Sequence, residues 1–218
     1  MSIVANLEEI KKAIPPGVTL VAVSKTKPKE DIQTLYDAGH RVFGENKVQE
    51  MVEKYEALPK DIQWHMIGHL QKNKVKYMAS FVHLIHSVDS EDLLKEINKQ
   101  ASKHNRVIPC LLQIHIAQEE TKFGMDEQEA DTLLKSYSVH YPHVKIFGLM
   151  GMATFTEDEN QIRQEFKYLK AIFDRLKTKD AQLEILSMGM SGDFQIAIEE
   201  GSNMIRVGSS IFGKRQYL

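Results

Sequence analysis

The chain has 218 residues, with 28 Lys+Arg against 30 Asp+Glu, a net charge of -2, 42% hydrophobic and 27% charged residues, and a single cysteine, Cys110. A chain this long buries roughly 70% of its unfolded surface as one domain without staples, and one cysteine excludes an internal disulfide and any multi-cysteine zinc site. The balanced charge argues against a nucleic-acid partner, and with no signal-like N-terminus and no apolar run near the roughly 18 residues of a bilayer span, a cytoplasmic location without a membrane partner is expected.

In chain order, Ser2–Ala13 reads as an extra helix closed by Pro15-Pro16-Gly17. Apolar runs and amphipathic stretches then alternate. The strands expected are Thr19–Lys25, Arg41–Glu45, Gln63–Gly68, Leu84–Asp89, Val107–Ile116, Lys145–Met152, Glu184–Gly189 and Met204–Gly208. Between them the 3.6-type spacing predicts helices over Lys29–Ala38, Lys47–Ala57, Gln71–Ser80, Glu91–His104, Glu127–His140, Glu159–Lys177 and Asp193–Glu200. The strands are apolar at both parities, as in parallel sheets covered by helices. Eight units of about 27 residues point to a compact (β/α)8 barrel over residues 1–218, a single domain preceded by its extra helix. A doubly wound sheet is the alternative, although no G-x-G-x-x-G follows the first strand.

Barrel chemistry sits at the C-terminal strand ends. Lys25 shares parity with Val21 and Val23, which points it inward. Desolvation there would free its lone pair for an aldehyde; snorkelling to solvent is the simpler alternative. Small residues follow strands seven and eight, in Gly189-Met190-Ser191-Gly192-Asp193 and Gly208-Ser209-Ser210. They suit a phosphate cradle or plain turns and caps. Arg206 lies inside a buried strand and must be paired, either to a ligand or to an acid such as Glu45 or Asp89. His65 and His69 lack metal-ligand spacing on a helix, so no metal is expected. The methionines of Leu149–Met152 and Met188–Met190 read as barrel lining.

Five ordered motifs then carry a resemblance over nearly the whole chain. They are Ala22–Pro28, Phe43–Asn46 with Gln49-Glu50, Trp64–Gly68, Leu186–Ser191 and Arg206–Gly213. Together they resemble the pyridoxal phosphate homeostasis protein family, single-domain relatives of the alanine racemase barrel. Gly192 and His69 depart from the residues common there. The resemblance implies pyridoxal 5′-phosphate (PLP) as cofactor, with Lys25 as its Schiff-base lysine. Ser191, Gly208 and Ser209 match the phosphate-binding positions, Arg206 matches the arginine facing the pyridine nitrogen, and Asn46 and His65 match residues near the cofactor. An arginine there cannot accept the ring proton, so the ring stays a poor electron sink. Racemases of this kind add an acid/base from another domain, and this chain ends at Leu218. The expectation is therefore a monomeric PLP carrier in cofactor homeostasis, not an enzyme, with PLP-requiring apo-enzymes as acceptors. A PLP-dependent racemase is the alternative, and a PLP-free barrel enzyme on a phosphorylated substrate is a third.

Overall fold

The computed structural model describes residues 2–119 and 123–213. Eight strands, β1 (Thr19–Val23), β2 (Val42–Glu45), β3 (Gln63–Met66), β4 (Leu84–Val88), β5 (Ile108–Gln113), β6 (Val144–Met150), β7 (Ile185–Ser187) and β8 (Met204–Val207), form a closed barrel in sequence order. Every pairing is parallel, and β8 closes on β1 with Val21 opposite Arg206. That closure excludes the doubly wound alternative.

The helices are α1 (Ile3–Ala13), α2 (Lys29–Asp37), α3 (Val48–Ala57), α4 (Val75–Met78), α5 (Glu91–Lys103), α6 (Glu127–His140), α7 (Glu159–Lys177), α8 (Phe194–Glu199) and α9 (Ser209–Phe212). Their logic is clearest in α7. Asp158 caps it by accepting from the N–H groups of Asn160 and Gln161, and Ile162, Phe166, Leu169, Phe173 and Leu176 are buried at three- and four-residue spacing. Among the described residues no helix is long and apolar enough to cross a membrane.

Strand parity separates two cores. Leu20 and Ala22 of β1 pack outward into the helical layer, while Val21 joins Leu84, Leu111, Met150 and Met204 inside the barrel. At one place the walls come too close for any side chain: a Cβ on Gly148 of β6 would collide with the Ile185 carbonyl of β7.

The expected strands run past the observed ones at their C-terminal ends. β1 stops at Val23, two residues short of Lys25, and β7 stops at Ser187, two short of Gly189. Residues just above the barrel stay apolar or small because they line the cavity mouth, so composition alone extends the strand. The stretch Gln71–Ser80 is not one helix but a 3-10 turn at Lys72–Lys74 running into α4. The one-turn α9 was not anticipated, because Ser209-Ser210 reads as loop.

Candidate functional site

The C-terminal strand ends enclose a cavity of about 440 Å³. Lys25 and Lys27 enter it from the β1 loop, Asn46 from β2, Ile67 from β3, Met152 and Phe155 from β6, Met190, Ser191 and Gly192 from β7, and Arg206, Gly208 and Ser209 from β8. Six of the seven residues singled out in the sequence thus meet in one place. Among the described residues its lining carries Lys25, Lys27 and Arg206 and no carboxylate, so it favours an anion. A second cleft of about 360 Å³ has the opposite character: among the described residues, Asp89, Glu91, Asp126 and Glu129 line it without a Lys or Arg. That cleft would repel a phosphate.

The two small-residue loops are tied together. The Ser191 hydroxyl accepts the Gly208 N–H at 3.1 Å. Asp193 accepts the Met190 N–H at 2.6 Å, and the Gly189 carbonyl accepts the Arg206 N–H at 2.9 Å. Gly189 turns the chain at φ +97°, where a side chain would also strike Ala197 of α8. Hydroxyls and backbone amides are thereby gathered on small residues that let a ligand approach closely.

Arg206 is buried, yet it pairs with neither Glu45 nor Asp89. Its Nη1 donates to the Ser187 hydroxyl at 2.7 Å and its Nη2 to the Gly151 carbonyl at 3.1 Å. Glu45 is instead bound to Lys54 at 2.7 Å, and Asp89 to His69 at 3.1 Å. Burial pulls the Arg206 guanidinium down to about 10, with Asp193 opposing the shift, so it stays cationic at neutral pH.

His65 does not line the cavity. It lies inside the barrel, its Nδ1 3.0 Å from Nε2 of His86, and Nδ1 of His86 is 3.0 Å from the Ser187 hydroxyl. Burial holds His65 at about 3 and His86 well below the ordinary imidazole value, so both are neutral. Since Ser187 accepts from Arg206, its own proton can go to His86, whose remaining N–H then faces His65. A polar file Arg206–Ser187–His86–His65 therefore runs down the barrel interior from the cavity floor. His86 is not singled out by the sequence, and Ser187 stands there only within the Leu186–Ser191 motif, without this role. The available signal was His86 sharing inward parity with Leu84 in β4.

The residues around Lys25 are held by a buried ionic cluster. Lys54 donates to the Ser24 carbonyl (2.8 Å), to Glu45 (2.7 Å) and to Glu50 (2.7 Å), and the Ser24 hydroxyl donates to Glu45 at 2.6 Å. Burial raises the Glu45 carboxyl to about 7 against the opposing charge of Lys54.

Residues 1–216 match the family model described as the alanine racemase N-terminal domain. A pyridoxal phosphate homeostasis protein from Aquifex aeolicus is 42% identical over 97% of this chain and 96% of its own length. Among solved structures, PipY of Synechococcus elongatus without PLP is 35% identical with a TM-score of 0.92, covering 97% of this chain and 100% of that one. The same protein with PLP bound is 34% identical with a TM-score of 0.89, over the same shares. On this identity and end-to-end coverage, the chain belongs to the pyridoxal phosphate homeostasis protein family.

Proposed function

We propose that this protein is a cytoplasmic PLP carrier that holds the cofactor covalently on Lys25, releases it to apo-enzymes that require it, and turns over no substrate itself. The observation that carries this reading is the cavity lining, which among the described residues joins Lys25, Lys27, Arg206 and two serine-bearing loops without a carboxylate. A volume of about 440 Å³ is in the range of small-molecule sites. The relative PipY, solved with PLP bound, supports the same ligand.

PLP supplies an aldehyde that condenses reversibly with amines and a pyridine ring that can draw electrons. The chain's residues divide the work. Ser191 and Ser209 would offer hydroxyl donors to the phosphate, Gly208 would let it approach closely, and Lys25 would offer its amine to the aldehyde. Arg206 would face the ring nitrogen as a hydrogen-bond donor; its guanidinium is already protonated and a very weak acid, so it would neither accept a ring proton nor supply one, and that nitrogen would stay unprotonated. Asn46 lines the cavity and would stand near the cofactor. His65 is left out of direct contact and supports Arg206 through His86 and Ser187. Every one of these groups comes from a single copy, which supports a working monomer; a tight dimer in sedimentation at sub-micromolar protein would contradict it.

Titration with PLP should produce a visible absorption band that borohydride abolishes, leaving the label on Lys25 by peptide mapping. A band without a labelled lysine would refute covalent holding. Ser191→Ala and Ser209→Ala should each weaken retention by about 0.5–1.5 kcal/mol, more if the acceptor is the phosphate dianion. Ser191 should matter more, because its hydroxyl also anchors the Gly208 N–H. An unchanged dissociation constant in the double variant would place the phosphate elsewhere.

The loaded protein should not racemise free amino acids. An unprotonated ring stabilises a carbanion poorly, and each ~1.4 kcal/mol of lost stabilisation costs tenfold in rate. The imidazoles nearest Arg206 are neutral and buried within the barrel, away from the cavity lining. Incubation with L-alanine while following α-proton exchange and enantiomer ratio checks this. Multiple turnovers per second would favour the racemase-like alternative, which the family model's own name keeps in view.

A further inference from the structure

Lys25 sits in a turn, not in a strand, so something other than the barrel ladder must fix its direction. The last ladder bond before it is Ser24 N–H to the Gly44 carbonyl, 3.0 Å. The next residue but one, Thr26, has φ +62°, a region that a β-branched side chain occupies only under strain. Without a partner holding it, Thr26 would relax and swing the Lys25 backbone with it.

The partners come from α3. Glu50 Oε1 accepts the Thr26 N–H at 2.6 Å, the bond that meets the strained residue directly. Lys54, one turn further along and buried, bonds the same Glu50 oxygen, Glu45 and the Ser24 carbonyl, using all three of its N–H donors. Both neighbours of Lys25 are thus gripped by one ionic cluster. A buried ion pair is a poor way to gain stability, because apolar residues of similar volume commonly do as well. What it provides that an apolar contact cannot is fixed direction at defined backbone atoms.

We propose that Glu50 and Lys54 are positioning residues for Lys25: by fixing Ser24 and Thr26 they hold the Lys25 backbone on the one course that brings its amine into the cavity. This rests on the reading of Lys25 as the residue that takes the PLP aldehyde. In that step the amine adds to the aldehyde carbon, a carbon–nitrogen double bond forms and one water leaves.

The test separates binding from bond formation. Pyridoxine 5′-phosphate has the phosphate and ring but no aldehyde, so it reports the cavity alone. Glu50→Ala should slow the appearance of the PLP absorption band by about tenfold or more. It should leave the pyridoxine 5′-phosphate dissociation constant within about twofold, and speed amide exchange at Thr26 in the ligand-free protein. Glu50→Gln should restore both rates, since its amide oxygen still accepts from Thr26. Lys54→Met should act like Glu50→Ala if it folds, and the Glu50 pair decides the matter if it does not. A Lys25 adduct that forms as fast in Glu50→Ala as in the parent overturns the proposal alone. So does a loss of pyridoxine 5′-phosphate binding equal to the loss of rate. A label found on another lysine in the parent protein overturns the reading of Lys25 and this proposal with it.

Discussion

Lys25→Ala is expected to abolish covalent retention of PLP altogether, the largest single effect on ligand holding that the cavity allows. The rival amine is Lys27, which lines the same cavity. Its Nζ is engaged elsewhere, donating to the Phe212 carbonyl at 3.1 Å and the Gly213 carbonyl at 3.4 Å. Reaching an aldehyde would require breaking those bonds and freeing the end of α9. Lys25→Ala leaves the tied loops of Ser191 and Gly208 intact, so phosphate-dependent binding should persist, weaker and released by dialysis. Borohydride treatment followed by mass mapping reads the outcome directly. A label on Lys27 in the variant at the parent's rate would show that the cavity selects no particular amine.

Much of this site was legible because barrel geometry converts parity into direction. Val21 and Val23 alternate with Leu20 and Ala22, and that parity extended to Lys25 gives the right side although the strand itself ends two residues earlier. The two small-residue loops were visible for a related reason: a phosphate cradle needs residues without bulk, and such residues stand out after apolar strands. The partners of Arg206 were not legible. Ser187 lies on β7 and Gly151 just after β6, far from each other in sequence, and they meet Arg206 of β8 only when the barrel closes. A buried guanidinium invites an acid, and Glu45 and Asp89 were the acids at hand. The structure satisfies it with neutral oxygens instead, while α3 supplies Lys54 to Glu45. Lys54 was hidden for the converse reason. A lysine four residues after a glutamate on an amphipathic helix ordinarily reads as a solvated pair, yet this one is 4% exposed.

The neutral buried imidazoles have a consequence for the whole fold. Acid should begin to destabilise this protein well above the pH at which most surface carboxylates titrate. His40, His65 and His86 are all buried, and desolvation is the first cause of each lowered value: about 4 for His40, about 3 for His65, and well below 6.5 for His86. In the unfolded chain they titrate near 6.5. As pH falls below that, the unfolded state takes up three protons that the native state refuses, and stability is lost until the folded values are reached. Glu45 works the other way. Its folded value near 7 lies above its unfolded one, so between those two values the native state holds a proton that the unfolded state lacks, and stability rises as pH falls. The balance is about two protons between pH 6 and 4.5, or roughly 3 kcal/mol lost per pH unit. Over that window the loss is about 4 kcal/mol, a large share of a typical stability of about 5–15 kcal/mol. Urea midpoints measured from pH 7.5 to 4.5 should fall steeply below 6, with little change in slope m. His40 lies outside the cavity lining, and its Nε2–H donates to the Val42 carbonyl at 2.8 Å. His40→Gln should therefore flatten the dependence by about one proton, roughly 1.4 kcal/mol per pH unit, without altering PLP binding. A stability that stays level down to pH 4.5, or that increases, would mean that the buried imidazoles carry their protons in the native protein.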